Sequence, residues 1–316
     1  MCVIAVKYFD GEGWVGAKNR DRNYQPKINI VQSNRKGVQR LYIDDELTRY
    51  TEGLNEHGVC ILSAALSVKS DEKEGEKLNP ADARRGRADG YMSPDGKTIR
   101  DALLLDNPKD AVQLIVDREL AGATVVFNEE DCYLIEGGFT VKKEDETPDN
   151  PREYIYKVKK MINEDGNAVV RTNHGLYIKE LGYQPNAEDA EKRKSRKSSE
   201  MRLKYASASV KECSKGSDMM DALAASPDKD KFMNPVRLGN PEKAEMVTTC
   251  QLLLMPKERK MHDRPLYSEI EIKYSKINKP DAKTFFEIIS SRKLLGFIPN
   301  APRSTGMRAR AQKTRS

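Results

Sequence analysis

The sequence predicts an α+β fold in which antiparallel sheets are covered by helices. Three observations carry this expectation. Apolar, β-branched runs come in pairs separated by short turn sequences, as hairpins do. Segments with helical spacing are grouped between those pairs instead of alternating with single strands, so parallel crossovers are not the building unit. No internal repeat and no linker divides the 316 residues. One domain over residues 1–300 is expected, followed by a basic, disordered tail at 301–316.

The elements follow in order. Val3 to Phe9 and Trp14-Val15 flank Asp10-Gly11-Glu12-Gly13, a strong short-range hairpin signal. With Phe9 opposite Trp14, Cys2 faces Asp21 with Arg20 and Arg22 beside it, and a slip of one residue changes that partner. Directly paired side chains lie about 4.5–5.5 Å apart at Cβ, so the hairpin brings a thiol close to cations, which favour the nucleophilic thiolate. Ile28–Gln32 and Gln39–Ile43 read as short strands. A turn at Asn55-Glu56-His57-Gly58 precedes a strand from Val59. Ser67 to Lys97 is long and charged, as functional or mobile loops are. A short helix is expected over Thr98–Leu105. Another starts at Asn107-Pro108, with Asn as N-cap and Pro at the first helical position; Ala111, Val112, Leu114, Ile115 and Leu120 mark its buried face. "TVVFNEEDCYLIEGG" reads as two strands, and Asn167–Thr172 as one. Glu188–Cys213 and Ser217–Ala225 read as helical. "MVTTCQLLLM" and "YSEIEIKY" are the last strands, and Pro280-Asp281 opens a helix to about Leu295.

Composition excludes several classes. Hydrophobic residues are 38% and charged residues 33%, a balance that describes a polar-surfaced globular chain. No run is long enough for a transmembrane helix, and the apolar start lacks the basic flank and cleavage site of a secretion signal. A cytoplasmic location with no membrane partner is the default expectation. The five cysteines, Cys2, Cys60, Cys132, Cys213 and Cys250, match neither a disulfide framework nor CxxC pairs. None of His57, His174 and His262 pairs with them at metal-ligand spacing, so neither a metal nor a cofactor is expected. The net charge of +6 is concentrated in Lys192–Lys197 and in Arg303, Arg308, Arg310, Lys313 and Arg315 of the tail. Such runs can contact nucleic acid. Without interleaved aromatics, a solvated helix face and a free tail are the plainer reading.

At Cys2, the hairpin and "AKNRDR", the chain resembles the cysteine N-terminal-nucleophile (Ntn) hydrolases. The nearest branch is the linear-amide hydrolases: choloylglycine hydrolases, penicillin V acylases and acyl-coenzyme A:6-aminopenicillanic acid acyltransferases. "EGLNEHGV" (Glu52–Val59) resembles that family's Gly-Met-Asn-Glu-x-Gly turn. "RTNHG" (Arg171–Gly175) resembles its Thr-Asn element, and "SSEMRL" (Ser198–Leu203) its Ser-Ser-x-x-Arg element. "KNRDR" is also similar to the secernin, dipeptidase and Asn-Arg-Asp-Glu branches. The resemblance implies a four-layer αββα sandwich and a mechanism without cofactor. Met1 is removed, Cys2 becomes the nucleophile, and its own α-amine, with a pKa of about 7.7–8.0, is the base. Asp21 would orient that amine, Asn173 would donate to the oxyanion, and Arg202 would hold the site through Asp21 or the thiolate. Lys18 stands where the choloylglycine branch has Arg, so Arg20 or Arg22 is the alternative source of a guanidinium. Ala65 stands where those enzymes have a second oxyanion-hole Asn, leaving Ser63 or a backbone N–H. His174 reads as a structural histidine, Asn55 and Gly58 as turn residues, and the other four cysteines as core. The implied reaction is hydrolysis or acyl transfer of a small-molecule or short-peptide amide, in a family that often assembles as homo-oligomers. The alternatives are a dipeptidase-like enzyme and an idle Ntn-fold protein that binds partners through its basic segments.

Overall fold

The computed structural model describes residues 2–66, 94–140, 146–149, 151–184, 187, 189–243, 245–274 and 287–290. In chain order the strands are β1 (Cys2–Phe9), β2 (Gly13–Arg22), β3 (Lys27–Arg35), β4 (Val38–Asp45), β5 (Thr51–Asn55) and β6 (Cys60–Ala64). Helices α1 (Pro94–Ala102) and α2 (Pro108–Asp117) follow. Then come β7 (Gly122–Phe127), β8 (Cys132–Phe139), β9 (Tyr154–Lys160) and β10 (Ala168–Arg171). Helices α3 (Ala190–Lys211) and α4 (Met219–Leu223) precede β11 (Val247–Met255), β12 (Lys260–Pro265), β13 (Glu269–Tyr274) and β14 (Glu287–Ser290).

Two sheets result, ordered β10-β1-β2-β11-β12-β14 and β13-β3-β4-β5-β6-β7-β8-β9. Pairing is antiparallel except at one edge of each, where β14 joins β12 and β13 joins β3 in parallel. Three apolar layers separate four structural ones. Between the sheets, Ile4, Val6 and Trp14 pack with Leu54, Leu62, Phe127 and Leu134. Behind the first sheet, Val3, Ala5, Ala17 and Leu253 meet Ala206 and Val210 of α3 and Met219 and Leu223 of α4. Behind the second, Ile61, Val126 and Ile135 meet Ile99 of α1, Leu103, and Ala111 and Ile115 of α2. Alternate residues of β1 therefore enter different cores, which is why its apolar run is continuous. Each fully buried Val, Leu, Ile, Phe or Met among them contributes about 1.5–3 kcal/mol.

The helices have local causes. Asn107 caps α2 by accepting from Asp110 N at 2.9 Å, with Pro108 at the first position. Asp189 caps α3 at Lys192 N. The far end of α3 is closed by Lys7 of β1, whose buried Nζ donates to the carbonyls of Val210, Lys211 and Cys213 at 3.2, 2.9 and 2.7 Å.

Four expectations change. The first hairpin pairs Phe9 with Gly13, not Trp14, so Cys2 lies opposite Arg20 and not Asp21. Gly13 adopts a φ of +78° that closes a three-residue loop; a Cβ there would collide with Glu129 O. Helix α1 spans 94–102, and the chain turns out of it before Leu105. Glu287–Ser290, expected within a helix, is a strand that joins the edge of the first sheet; the rest of 280–295 lies outside the described residues, as do 67–93 and the tail. Strands β5, β9 and β12 had no counterpart in the sequence reading.

Candidate active site

The one-residue slip sets the chemistry of the site. On a strand, a shift by one exchanges the faces. Lys18, Arg20 and Arg22 now share the inter-sheet face with Cys2, and Asn19 and Asp21 turn to the helix side. Lys18 and Arg20 are fully buried there, and cations so placed require partners. Glu52 of β5 contacts Lys18 and accepts from Arg20 at 3.2 Å. Asp45 of β4 accepts from Arg20 at 3.0 Å, from Arg22 at 3.3 Å and from Tyr24 Oη at 2.8 Å. Burial works against the Asp45 carboxylate, but Arg20 and Arg22 hold its pKa well below the usual range. The Tyr50 ring lies 5.6 Å from Lys18 Nζ and 5.7 Å from the Arg20 guanidinium.

This cluster has three cations and two carboxylates. The group placed to supply the third negative charge is Cys2: its Sγ lies 4.0 Å from Arg22 Nη1. Burial raises the thiol pKa, yet Lys18, the amino terminus and Arg22 together bring it down to about 7, with Asp21 opposing. Burial pushes the other four thiols, Cys60, Cys132, Cys213 and Cys250, upward.

On the helix side, Asp21 meets Arg202 of α3 and accepts from Thr248 Oγ1 at 2.8 Å, with Arg237 Nη1 at 3.9 Å. Arg202 is wholly buried and also bonds Asn234 O. Of the two partners open to Arg202, it takes Asp21. One stripe of α3 explains both of its tasks. Ser198, Ser199 and Arg202 face the site, and Ala206 and Val210, four and eight residues further on, enter the apolar layer.

Asn173 reaches Cys2 through its oxygen: Cys2 N donates to Oδ1 at 2.9 Å. Its Nδ2 donates to Ala65 O at 2.8 Å. The surrounding "RTNHG" and "SSEMRL" segments meet here. Asn173 N donates to Ser199 Oγ at 3.0 Å, Thr172 Oγ1 to Ser199 O at 3.0 Å, and His174 Nδ1 lies 2.8 Å from Ser199 Oγ. Burial, with Arg196 nearby, lowers the His174 pKa to about 4, so it is a neutral hydrogen-bonding group at ordinary pH. The loop beyond is held by Glu136 of β8, whose carboxylate accepts from the N–H groups of Leu176, Tyr177 and Ile178. Ser63 gives its N–H to Glu52, and its hydroxyl accepts from Thr124 at 2.9 Å. Asn55 accepts from Val59 N and donates to Leu103 O and Leu105 O, a turn anchor.

The structure thus gathers Cys2, Lys18, Asp21, Asn173 and Arg202 around one end of β1 and β2. Glu52, Asp45, Thr248 and Arg237 were missed. The basic alternation at 18, 20 and 22 on an otherwise buried strand is a signal that buried acids must exist elsewhere. The Lys192–Lys194 part of the basic run lies exposed on the first turn of α3.

The layering is a four-layer αββα sandwich, consistent with the Ntn-hydrolase fold, with a cysteine at the start of an inner strand. Among solved structures the chain is similar to a mutant conjugated bile acid hydrolase from Clostridium perfringens, at 8% identity and a TM-score of 0.44, covering 84% of this chain and 89% of that one. It is also similar to penicillin V acylase from Agrobacterium tumefaciens, at 11% identity and a TM-score of 0.39, covering 84% and 86%. No protein-family model matches the chain, and no curated protein matches it in sequence. Among the described residues, no helix is long and apolar enough to cross a membrane.

Proposed function

We propose that the protein is a cysteine amidohydrolase of the Ntn type, acting on a linear carbon–nitrogen amide bond through Cys2 after loss of Met1. The observation that carries this reading is the buried cluster of Lys18, Arg20 and Arg22 with two carboxylates, short of one negative charge beside Cys2 Sγ. A thiolate completes the balance. Removal of Met1 turns Cys2 N into a primary amine on the thiol's own residue, held by Asn173 Oδ1. That amine takes the thiol proton, and the thiolate attacks the amide carbonyl carbon. The resulting oxyanion needs donors. Asn173 Nδ2, now on Ala65 O, is the donor assigned to it, and a carbonyl entering along exposed Ala65 would take it over. The α-ammonium protonates the leaving amine as the C–N bond breaks. Water hydrolyses the thioester, or a second amine accepts the acyl group. Asp21, Thr248 and Arg202 fix the end of β2 from the helix side.

The test is intact mass and N-terminal sequencing before and after limiting iodoacetamide, followed by an amide substrate screen. Loss of Met1, one alkyl group on Cys2 and amide cleavage abolished by both alkylation and Cys2→Ala support the reading. A retained Met1 with alkyl groups spread over several cysteines refutes it.

A further inference from the structure

A second feature lies at the edge of the larger sheet, away from Cys2. Strand β9 pairs with β8 on one side only among the described residues. Its free edge follows from two hydrogen bonds. Met161 N donates to Cys132 O, and Thr140 N donates to Glu153 O. Bonded pairs recur every second residue in an antiparallel ladder, so Ile155, Lys157 and Lys159 bond β8. Tyr154, Tyr156, Val158 and Lys160 then point their N–H and C=O groups outward. Open edges of this kind accept an added strand.

Side chains mark the same edge. The large hydrophobics exposed among the described residues are Tyr156 (54%), Val158 (37%), Ile162 (70%) and Leu176 (37%). Three of them lie on β9 or just beyond its end, and Leu176 lies in the loop anchored by Glu136 of the neighbouring strand. Between them stand Lys157, Lys159 and Lys160, all exposed. Lys157 and Lys159 lie 5.5 Å from the Tyr177 ring beside Leu176. The strand carries no acidic residue.

We propose that β9 is a docking strand for an acidic, extended polypeptide segment, which adds to the sheet by β-augmentation. The outward backbone groups of Tyr156 and Val158 would bind its main chain, their side chains its apolar residues, and Lys157 and Lys159 its carboxylates. Charge decides the occupant. A second copy of this chain docked edge to edge would oppose its own three lysines to these three, which is destabilising. Single-stranded nucleic acid would use the lysines and ring faces, but it has no use for the open backbone edge, and Tyr154 and Tyr156 stack on each other at 5.9 Å.

The experiment measures fluorescence anisotropy of a labelled peptide alternating glutamate and valine, titrated with the full chain. A lysine–valine peptide and oligothymidylate serve as competitors, and sedimentation velocity reports self-association. The variants are Val158→Pro and the pair Lys157→Glu with Lys159→Glu. Proline at 158 removes an outward N–H that β8 does not use, a position edge strands tolerate; the charge reversals leave the backbone intact. Saturable binding, weakened about tenfold or more by each variant and unaffected by the lysine–valine competitor, is the expected result. Lack of saturation up to about 1 mM overturns the proposal. So does binding indifferent to Val158→Pro in a folded protein, binding displaced by oligothymidylate, or self-association that the same variants abolish.

Discussion

Replacing Arg22 by glutamine tests the electrostatic origin of the Cys2 thiolate. The Arg22 guanidinium lies 4.0 Å from Cys2 Sγ and is also bonded to Asp45 at 3.3 Å. Two unit charges at that distance interact by about 4 kcal/mol at an effective dielectric of ~20 and by about 1 kcal/mol in water. The Arg22 side chain is 16% exposed and shared with a carboxylate, which places the loss toward the lower end, about 1–2 kcal/mol. That is roughly one pKa unit. The sign is fixed: removing a cation raises the thiol pKa, from about 7 toward the ordinary thiol range. The assay is the rate of iodoacetamide labelling of Cys2 across pH 5–10, read by peptide mass. At neutral pH the thiolate fraction falls about fivefold, but a more basic thiolate is intrinsically about threefold more reactive. The net rate at pH 7 changes little, and the midpoint of the profile is therefore the readout. A midpoint unmoved, or moved down, in a folded Arg22→Gln protein refutes the argument that Arg22 stabilises the thiolate.

Two further predictions concern stability. Lys7→Met leaves the carbonyls of Val210, Lys211 and Cys213 without their shared donor; unsatisfied buried groups cost about 1–3 kcal/mol, read as a lowered urea midpoint and faster amide exchange at the end of α3. Asp263 is buried in β12, and neither carboxylate oxygen meets a hydrogen-bond donor among the described residues; burial raises its pKa from 3.8 to about 8. The unfolded chain ionises first, so the stability this group contributes is full below about pH 4 and is lost as pH rises to 8. Asp263→Asn should therefore gain on the parent progressively from pH 5 to pH 8, by several kcal/mol at most at ~1.4 kcal/mol per unit, in urea titrations at both pH values. A constant difference across that range would show that Asp263 does not titrate there.

Much of the site was legible in the chain. Cys2, "NRDR", "RTNHG" and "SSEMRL" point to the residues that meet, because each is short and fixed by local structure. What they do to one another was not legible. Asp21 was read as facing Cys2; it faces α3, because Gly13 rather than Trp14 closes the hairpin on Phe9. Asn173 was read as an oxyanion donor; that its oxygen holds Cys2 N and its nitrogen rests on Ala65 O was not legible. Glu52 and Asp45 gave no local sign of their role, since the cations they pair with, Lys18, Arg20 and Arg22, are at least 23 residues away in sequence. Strand β9 escaped notice because its lysines and exposed tyrosine break the apolar alternation that marks a half-buried strand.

The sequence by itself determined the elements whose causes are local. These are the first hairpin from Asp10-Gly11, helix α2 from its Asn107 cap, the strands from β-branched runs, and the placing of a cysteine at the start of an inner strand. Only the tertiary structure decided the register of that hairpin, the pairing of three buried cations with two carboxylates from β4 and β5, and the resulting low pKa of Cys2. The physical reason is one of range. Turns and caps are closed within a few residues, but the charge felt by a buried thiol is a sum over strands that meet only when two sheets pack face to face.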